Sequence, residues 1–375
     1  MYRVIVFFCL LLVGCLPAAA QNNLDEINNV NSEVLQTESF VFDVGGNKLS
    51  GLLDRPLDQE PQSTIVIVHG YGETKVVEQD WYRELRSQFA GIGMNVLIWD
   101  KPGCGDSEGE FDINQPVQSS AEEVVAAVQA LKKRDIKGTD KIGLWGISRA
   151  GWIAPLAMAQ DTSIAFWISV SGTDDKENAR YLLASNWLAE GRSVEETEVL
   201  VSEWQARFNT AWRNGTYQEY LDAAPNLSSD EFMKFMGWAG DASEEEFLAY
   251  QDKFNSGELI VDEQEELMIY VPDFRKLLGS INKPVLALFG EKDTNVDWRK
   301  TAALYRETLG ANPAASLRIS TFPDGNHTLK QSQTGGIREL FGQGGDAPYV
   351  AGYYETMLSW LKDHNFGVES GVDSN

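Results

Sequence analysis

Lys141-Ile142-Gly143-Leu144-Trp145 runs directly into Gly146-Ile147-Ser148-Arg149-Ala150-Gly151, and Trp152-Ile153-Ala154-Pro155-Leu156-Ala157 follows. The first run is short and largely apolar, as a buried strand requires, and the last suits a helix. A serine at so abrupt a strand-to-helix turn presents its Oγ above the sheet. Small residues flank it because bulk there would strike neighbouring backbone. Ala150 stands where this pattern usually has glycine, a difference of one methyl, and Gly151 follows at once. Alone, G-x-S-x-A also spells an ordinary surface turn. The rest of the chain has to decide.

Similar apolar runs recur on both sides, at Thr64 to Val68, Asn95 to Trp99, Phe166 to Val170, Val285 to Phe289 and Leu317 to Thr321. Each is too short for a helix, rich in Val, Ile and Leu on both faces, and separated from the next by enough chain for a helical crossover. That rhythm predicts buried parallel strands. Ahead of them, Ser39 to Val44 and Lys48 to Leu53 flank Gly45-Gly46-Asn47, which predicts a hairpin of two antiparallel edge strands. Hairpin plus six gives a sheet of about eight strands.

The crossovers carry start signals. Ser119 and Ser120 each precede a glutamate by three residues (Glu122, Glu123), ahead of Val124, Val125, Val128 and Leu131, so a capping box should open an amphipathic helix there. Tyr353, Met357, Trp360 and Leu361 predict a closing helix between Tyr349 and Leu361. From Gly172 to about Ser280 the strand rhythm stops, and the stretch is too long for a loop. It reads as an inserted helical cap. Ser193 with Glu196, Ser228 with Glu231 and Ser243 with Glu246 predict three helix starts. Leu200, Trp204, Phe208 and Trp212 fall four apart on one face. This aromatic stripe fits packing of the cap against itself better than a roof over substrate.

A serine nucleophile needs a base, and the chain has three histidines. His69 ends the first parallel strand, where packing or a hydrogen bond in the turn is expected. His364 lies beside Lys362 and Asp363, where it should be solvated. His327 follows the last strand in Phe322-Pro323-Asp324-Gly325-Asn326-His327, at the strand end where catalytic groups of an open parallel sheet collect. The acid should follow another strand, and Phe289-Gly290-Glu291-Lys292-Asp293 offers Asp293, with Glu291 and Asp297 as alternatives. The chain order is then Ser148, Asp293, His327. Val68-His69-Gly70-Tyr71-Gly72 supplies a tight turn for an oxyanion hole, its donors being the Tyr71 and Arg149 backbone N–H groups.

From about Ser39 to His364 the chain resembles the α/β-hydrolase superfamily of serine hydrolases. Besides the serine turn, the His-Gly turn and the ordered acid and histidine, Trp99-Asp100-Lys101-Pro102-Gly103-Cys104-Gly105-Asp106-Ser107 is similar to the loop after the next strand in esterases and peptidases of that group. Ser148 to Pro155 resembles a Ser-x-Gly-Gly-Trp-Ile-Ala-Pro pattern of exported bacterial members similar to dienelactone hydrolases, prolyl-oligopeptidase catalytic domains and serine aminopeptidases. Ala150, and Arg149 where glutamine is frequent, depart from it.

The resemblance implies an α/β fold with a mostly parallel sheet and flanking helices. It implies hydrolysis of a carboxylic ester through an acyl-enzyme, with no metal or organic cofactor. A short peptide or a thioester is the alternative substrate, and a catalytically inactive binding lipoprotein is the alternative of another class. The expected division is 37–172 and 281–366 for the core, 173–280 for the cap, 21–36 for a flexible leader and 367–375 for a flexible tail.

With 375 residues, two domains or one large domain with an insertion are expected. Fifty-six acidic against 31 basic residues give a net charge of -25, which repels nucleic acid and anionic bilayers. Arg3, the apolar run Val4 to Val13 and Ala18-Ala19-Ala20 predict an exported protein with a signal peptide over 1–20. Ten apolar residues span about 15 Å, too little to cross a bilayer. Leu12-Val13-Gly14-Cys15 also resembles a lipobox, which would remove 1–14 and tether the protein to a membrane through lipidated Cys15. Either way Cys104 is the one cysteine left in the folded part, expected as a small packed thiol. The sequons at Asn214, Asn226 and Asn326 read as chance, and the glycine-rich run Gly335 to Gly345 as a mobile loop near the site.

Overall fold

The computed structural model describes residues 35–175, 178–238, 240–268, 271–342 and 347–368. The expected signal segment, Cys15 and nearly all of the expected leader and tail lie outside them.

Eight strands form one sheet: β1 (Leu35–Val44), β2 (Asn47–Pro56), β3 (Ser63–Val68), β4 (Met94–Trp99), β5 (Ile142–Ile147), β6 (Ile164–Val170), β7 (Pro284–Gly290) and β8 (Ser316–Phe322). Their order is β1-β2-β4-β3-β5-β6-β7-β8. β3 to β8 run parallel, and the β1–β2 hairpin joins antiparallel through β2 and β4. Only β1 is therefore the edge strand of the expected pair. The hairpin also starts earlier than its turn chemistry suggested, with Leu35 already opposite Pro56.

β3, β4 and β5 are buried at every position, which is why their sequences lack alternation. Their pleat divides the side chains between two cores. Val66, Val68, Leu97 and Leu144 pack with Val124, Val128 and Leu131 of helix Val117–Lys133 and Ile153 of helix Ala150–Gln160. Ile65, Ile67, Val96, Ile98, Trp145 and Ile147 meet Leu85 and Phe89 of helix Arg83–Gly91 and Met357, Trp360 and Leu361 of helix Tyr353–Asp363. Helices thus cover both faces, and the crossovers leave the C-terminal strand ends free for loops.

The predicted capping box at Ser119 and Ser120 does not form. Pro116 takes the cap position, and the helix begins at Val117. Glu123 turns inward instead, accepting from Trp99 Nε1 at 3.2 Å and Gln115 Nε2 at 2.5 Å.

Between β6 and β7 the described residues form helices, the longest Asn178–Ala189, Val194–Trp212 and Glu244–Asn255. Ser193 and Ser243 make full capping boxes with Glu196 and Glu246. Ser228 does not; Asp230 caps Glu231–Phe235 by accepting from Met233 N at 2.9 Å. The aromatic stripe packs inward: Leu200, Trp204 and Phe232 share a cluster with Trp187 and Ile337, and Trp204 stacks on Phe208 at an interplanar angle of 10°. No helix among the described residues is long and apolar enough to cross a membrane.

Candidate active site

Ser148 sits one residue beyond β5 with a φ of +58°, a left-handed conformation that a side-chain-bearing residue rarely adopts. The sheet holds it there. Ser148 N donates to Val170 O at 2.9 Å, and Ser148 O accepts from Gly151 N at 2.7 Å as helix Ala150–Gln160 begins. Strain of this kind at a fixed side chain is typical of functional positions. The residue is 4% exposed.

The turn after β3 lies against it. A Cβ built on Gly70 would stand 3.2 Å from Ile147 O and 3.4 Å from Ser148 Cβ, so this backbone passes close to the serine and a larger residue would fit there only tightly. Tyr71 follows in that turn, its hydroxyl 3.3 Å from Asn114 Oδ1. Arg149 occupies the cap position of the helix after Ser148, where backbone N–H groups have no intrahelical acceptor. Its guanidinium points away and donates to Ser120 Oγ at 3.2 Å and to Gln115 O.

Two strands across, Gly290 closes β7. A Cβ there would lie 2.3 Å from both Gly325 O and Asn326 O, so glycine lets the turn after β8 fold onto the end of β7. Lys292 N donating to Gly325 O at 2.9 Å completes that junction. It brings His327 to Asp293, with Nδ1 2.8 Å from Oδ2 and 3.0 Å from Oδ1. Asp293 Oδ1 also accepts from Asn295 N at 2.8 Å and Val296 N at 2.9 Å. A carboxylate held by two amides and facing Nδ1 fixes the imidazole proton on Nδ1 and leaves Nε2 as the basic nitrogen. Nε2 is buried without a hydrogen-bond partner. Ser148 Oγ makes no hydrogen bond to it in this structure.

The alternatives to Asp293 are engaged elsewhere. Glu291 Oε1 accepts from Thr321 Oγ1 at 2.7 Å, and Asp297 caps helix Trp298–Thr308 through Arg299 N and Lys300 N. His69 Nε2 donates to Trp99 O at 2.6 Å, and burial, with Lys101 nearby, drives its pKa down to about 3, so it stays neutral. His364 is not the solvated residue expected: it is half-buried, its ring tilted 39° against that of Trp360 with centroids 4.6 Å apart, and its Nδ1 lies 2.8 Å from Trp360 O. Cys104 is buried, as a small packed thiol should be. Asn326 is 1% exposed and its Oδ1 accepts from Thr328 N and Lys330 N, so that sequon sits inside the fold.

The start of the glycine-rich run is packed rather than loose. A Cβ on Gly335 would fall 1.7 Å from Lys292 O, Thr294 Oγ1 donates to Gly335 O at 2.9 Å, and helix Ile337–Gly342 follows. Residues 343–346 lie outside the description.

Sequence reasoning missed the support from helix Asn178–Ala189. Tyr181 Oη donates to Asp293 O at 2.8 Å, Ser185 Oγ to Thr294 O at 2.5 Å, and Asn186 Oδ1 accepts from Ile337 N at 2.7 Å. The polar positions of an otherwise apolar helix were the available signal.

Residues 59–331 match the family model described as serine aminopeptidase, S33. Among curated proteins, the chain is 30% identical over 140 residues to a thiohydrolase, AneE, of Aspergillus aculeatus, covering 37% of this chain and 42% of that protein. It is 29% identical over 143 residues to the quorum-quenching protein AidA of Acinetobacter baumannii, covering 38% and 45%. The chain thus spans less than half the length of these two relatives. Among solved structures, an esterase of Pyrococcus furiosus superposes with a TM-score of 0.50 at 15% identity, over 88% of this chain and 91% of that one. An acylaminoacyl peptidase of Pyrococcus horikoshii gives 0.50 at 13% identity, over 93% and 45%. These likenesses agree with the eight-stranded architecture. The chain belongs to the serine aminopeptidase S33 family of serine hydrolases, within the α/β-hydrolase superfamily.

Proposed function

We propose that the protein hydrolyses carboxylic esters by acyl transfer through Ser148, His327 and Asp293. The observation that carries this reading is His327: its Nδ1 is held by a buried carboxylate while its Nε2, buried and unpartnered, lies at the same sheet edge as the strained serine.

In the mechanism, Nε2 takes the proton of Ser148 Oγ as that oxygen attacks the ester carbonyl, and Asp293 stabilises the imidazolium. The tetrahedral oxyanion is received by the Tyr71 and Arg149 backbone N–H groups. Collapse breaks the ester C–O bond, the alcohol leaves with the proton from Nε2, and an acyl-Ser148 remains. Water, deprotonated by the same nitrogen, then releases the acid. Segment 173–280 acts as a cap, a reading supported by the docking of Tyr181, Ser185 and Asn186 on the Asp293–Thr294 turn.

The family's description favours a second reading, release of N-terminal residues from short peptides by the same acyl chemistry. The similarity to a thiohydrolase adds thioesters to the substrates worth comparing. Purified protein assayed on p-nitrophenyl esters of graded chain length, acyl thioesters and aminoacyl anilides separates these. The proposal expects the highest kcat/KM on esters and none in Ser148→Ala. Higher kcat/KM on anilides makes it a peptidase, and no turnover of any of them supports an inactive binding protein. The Arg3 to Ala20 pattern further supports an exported location, with a lipid anchor if Cys15 becomes the first residue; the mass of the mature N-terminus distinguishes the two.

A further inference from the structure

Behind the turn that follows β3 lies a lysine that the proposed mechanism does not use. Lys101 follows the end of β4 and its side chain runs inward, leaving the residue 9% exposed. Its Nζ donates to Gly70 O at 2.7 Å and to Gly72 O at 2.7 Å. Its own backbone N donates to Thr74 Oγ1 at 2.7 Å, and the preceding Asp100 carboxylate accepts from Val76 N at 2.6 Å and Val77 N at 3.3 Å. The β4 loop and the β3 loop are therefore bound at several points.

The two carbonyls bracket Tyr71. Gly70 O and Tyr71 N belong to one planar trans peptide, in which C=O and N–H point in opposite directions. Holding Gly70 O on the ammonium therefore aims the Tyr71 N–H the other way. Gly70 and Gly72 leave this turn little intrinsic preference, and Gly72 has a φ of +93°. Without an outside hold, the Gly70–Tyr71 peptide could rotate and remove the donor.

The placement is hard to explain as packing. Burial, with the Arg149 cation facing it, pulls the Lys101 pKa down to about 7. Glu123, the facing carboxylate, is bonded to Trp99 and Gln115. An apolar side chain of similar length would fill the space without that desolvation penalty.

We propose that Lys101 is a positioning residue for the oxyanion turn, its ammonium clamping the Gly70 and Gly72 carbonyls so that the Tyr71 N–H faces the oxygen of the tetrahedral intermediate. This rests on the hydrolase reading above. Lys101 Nζ touches no reacting atom; it acts through the peptide it orients.

The test compares wild type, Lys101→Met, Lys101→Gln and Ser148→Ala, each checked for folding by circular dichroism. The readouts are kcat and KM on a p-nitrophenyl ester and the affinity of a trifluoromethyl ketone, which forms a tetrahedral oxyanion adduct on an active serine. Lys101→Met is expected to lower kcat by about 100 to 1,000-fold, the effect of losing one oxyanion donor. KM should stay within about threefold, and ketone affinity should fall in step with kcat. Lys101→Gln, neutral but still a double donor, should recover part of both losses, and it carries the test if the Met variant does not fold. A folded variant of either kind with wild-type kcat and ketone affinity overturns the proposal. So does a loss in which KM rises and ketone affinity stays constant, since that marks a merely structural residue. Wild type inactive on every substrate and unreactive with the ketone overturns the hydrolase reading as well, whereas active wild type, dead Ser148→Ala and unaffected Lys101 variants refute the clamp alone.

Discussion

Replacing Asp293 by asparagine exchanges one oxygen for an amide nitrogen, and the surrounding bonds decide which. Oδ1 accepts from the N–H groups of Asn295 at 2.8 Å and Val296 at 2.9 Å, so an acceptor has to remain there. The new NH2 therefore takes the place of Oδ2, 2.8 Å from His327 Nδ1. An amide donates where the carboxylate accepted. With the NH2 at the nearer 2.8 Å position and the retained Oδ1 at 3.0 Å already engaged by two N–H groups, Nδ1 is expected to become the acceptor, the ring proton to move to Nε2, and Nε2 to lose its capacity to take the proton of Ser148. The same exchange in another Ser-His-Asp site lowers kcat by about 10⁴, or about 5 kcal/mol at 1.36 kcal/mol per decade. Stability should change little, because both backbone donors keep their acceptor. Asp293→Ala would instead orphan two buried N–H groups at about 1–3 kcal/mol each. Initial rates on a p-nitrophenyl ester, paired with urea unfolding of both variants, measure the two effects. A folded Asp293→Asn protein retaining more than about a tenth of wild-type kcat, a loss under ~1.4 kcal/mol, would refute the orienting role of Asp293.

Ser148→Gly should abolish turnover yet stabilise the fold by about 1 kcal/mol in urea unfolding, because glycine accepts the +58° φ without strain; a destabilised glycine variant would show that no strain is stored there. His69 gives a pH signature. Its pKa falls from 6.5 to about 3 in the folded protein, so the unfolded chain binds the proton that the native state refuses. The associated stability is complete above pH 6.5 and is lost progressively as pH falls towards 3, amounting to about 2 kcal/mol by pH 5. His69→Gln, which keeps a donor for Trp99 O, should lose correspondingly less stability between pH 7.5 and 5, and equal losses in the two proteins would contradict the assignment.

The parallel strands β3 to β7 were legible because burial on both faces leaves nothing to alternate, so Ile65 to Val68 and Ile142 to Ile147 read as continuous apolar runs, whereas β8, at the sheet edge, is partly exposed. The serine turn was legible for a related reason: tight backbone approach demands small residues at set places, and Gly146 and Gly151 mark them. The helix starts were less so. A serine three residues before a glutamate forms a capping box only when neither has a better partner. At Ser193 and Ser243 the box forms, whereas Glu123 is drawn to Trp99 and Gln115, and Asp230 takes the cap position near Ser228. Choosing Asp293 over Glu291 and Asp297 by strand-end position agrees with the His327 contact, but the Thr321 bond and the helix cap that occupy the other two carboxylates depend on tertiary structure. Lys101 is the extreme case. Its neighbours Trp99-Asp100 and Pro102-Gly103 describe a loop, and only the fold shows its ammonium meeting carbonyls about thirty positions earlier in the chain.

The most direct measurement is covalent: wild-type protein is incubated with a fluorophosphonate and the modified residue is located by peptide mass spectrometry. The account predicts one phosphonyl adduct, on Ser148, forming far more slowly in His327→Ala. Folded wild-type protein that acquires no adduct at Ser148, or acquires it equally fast without the imidazole, would contradict it.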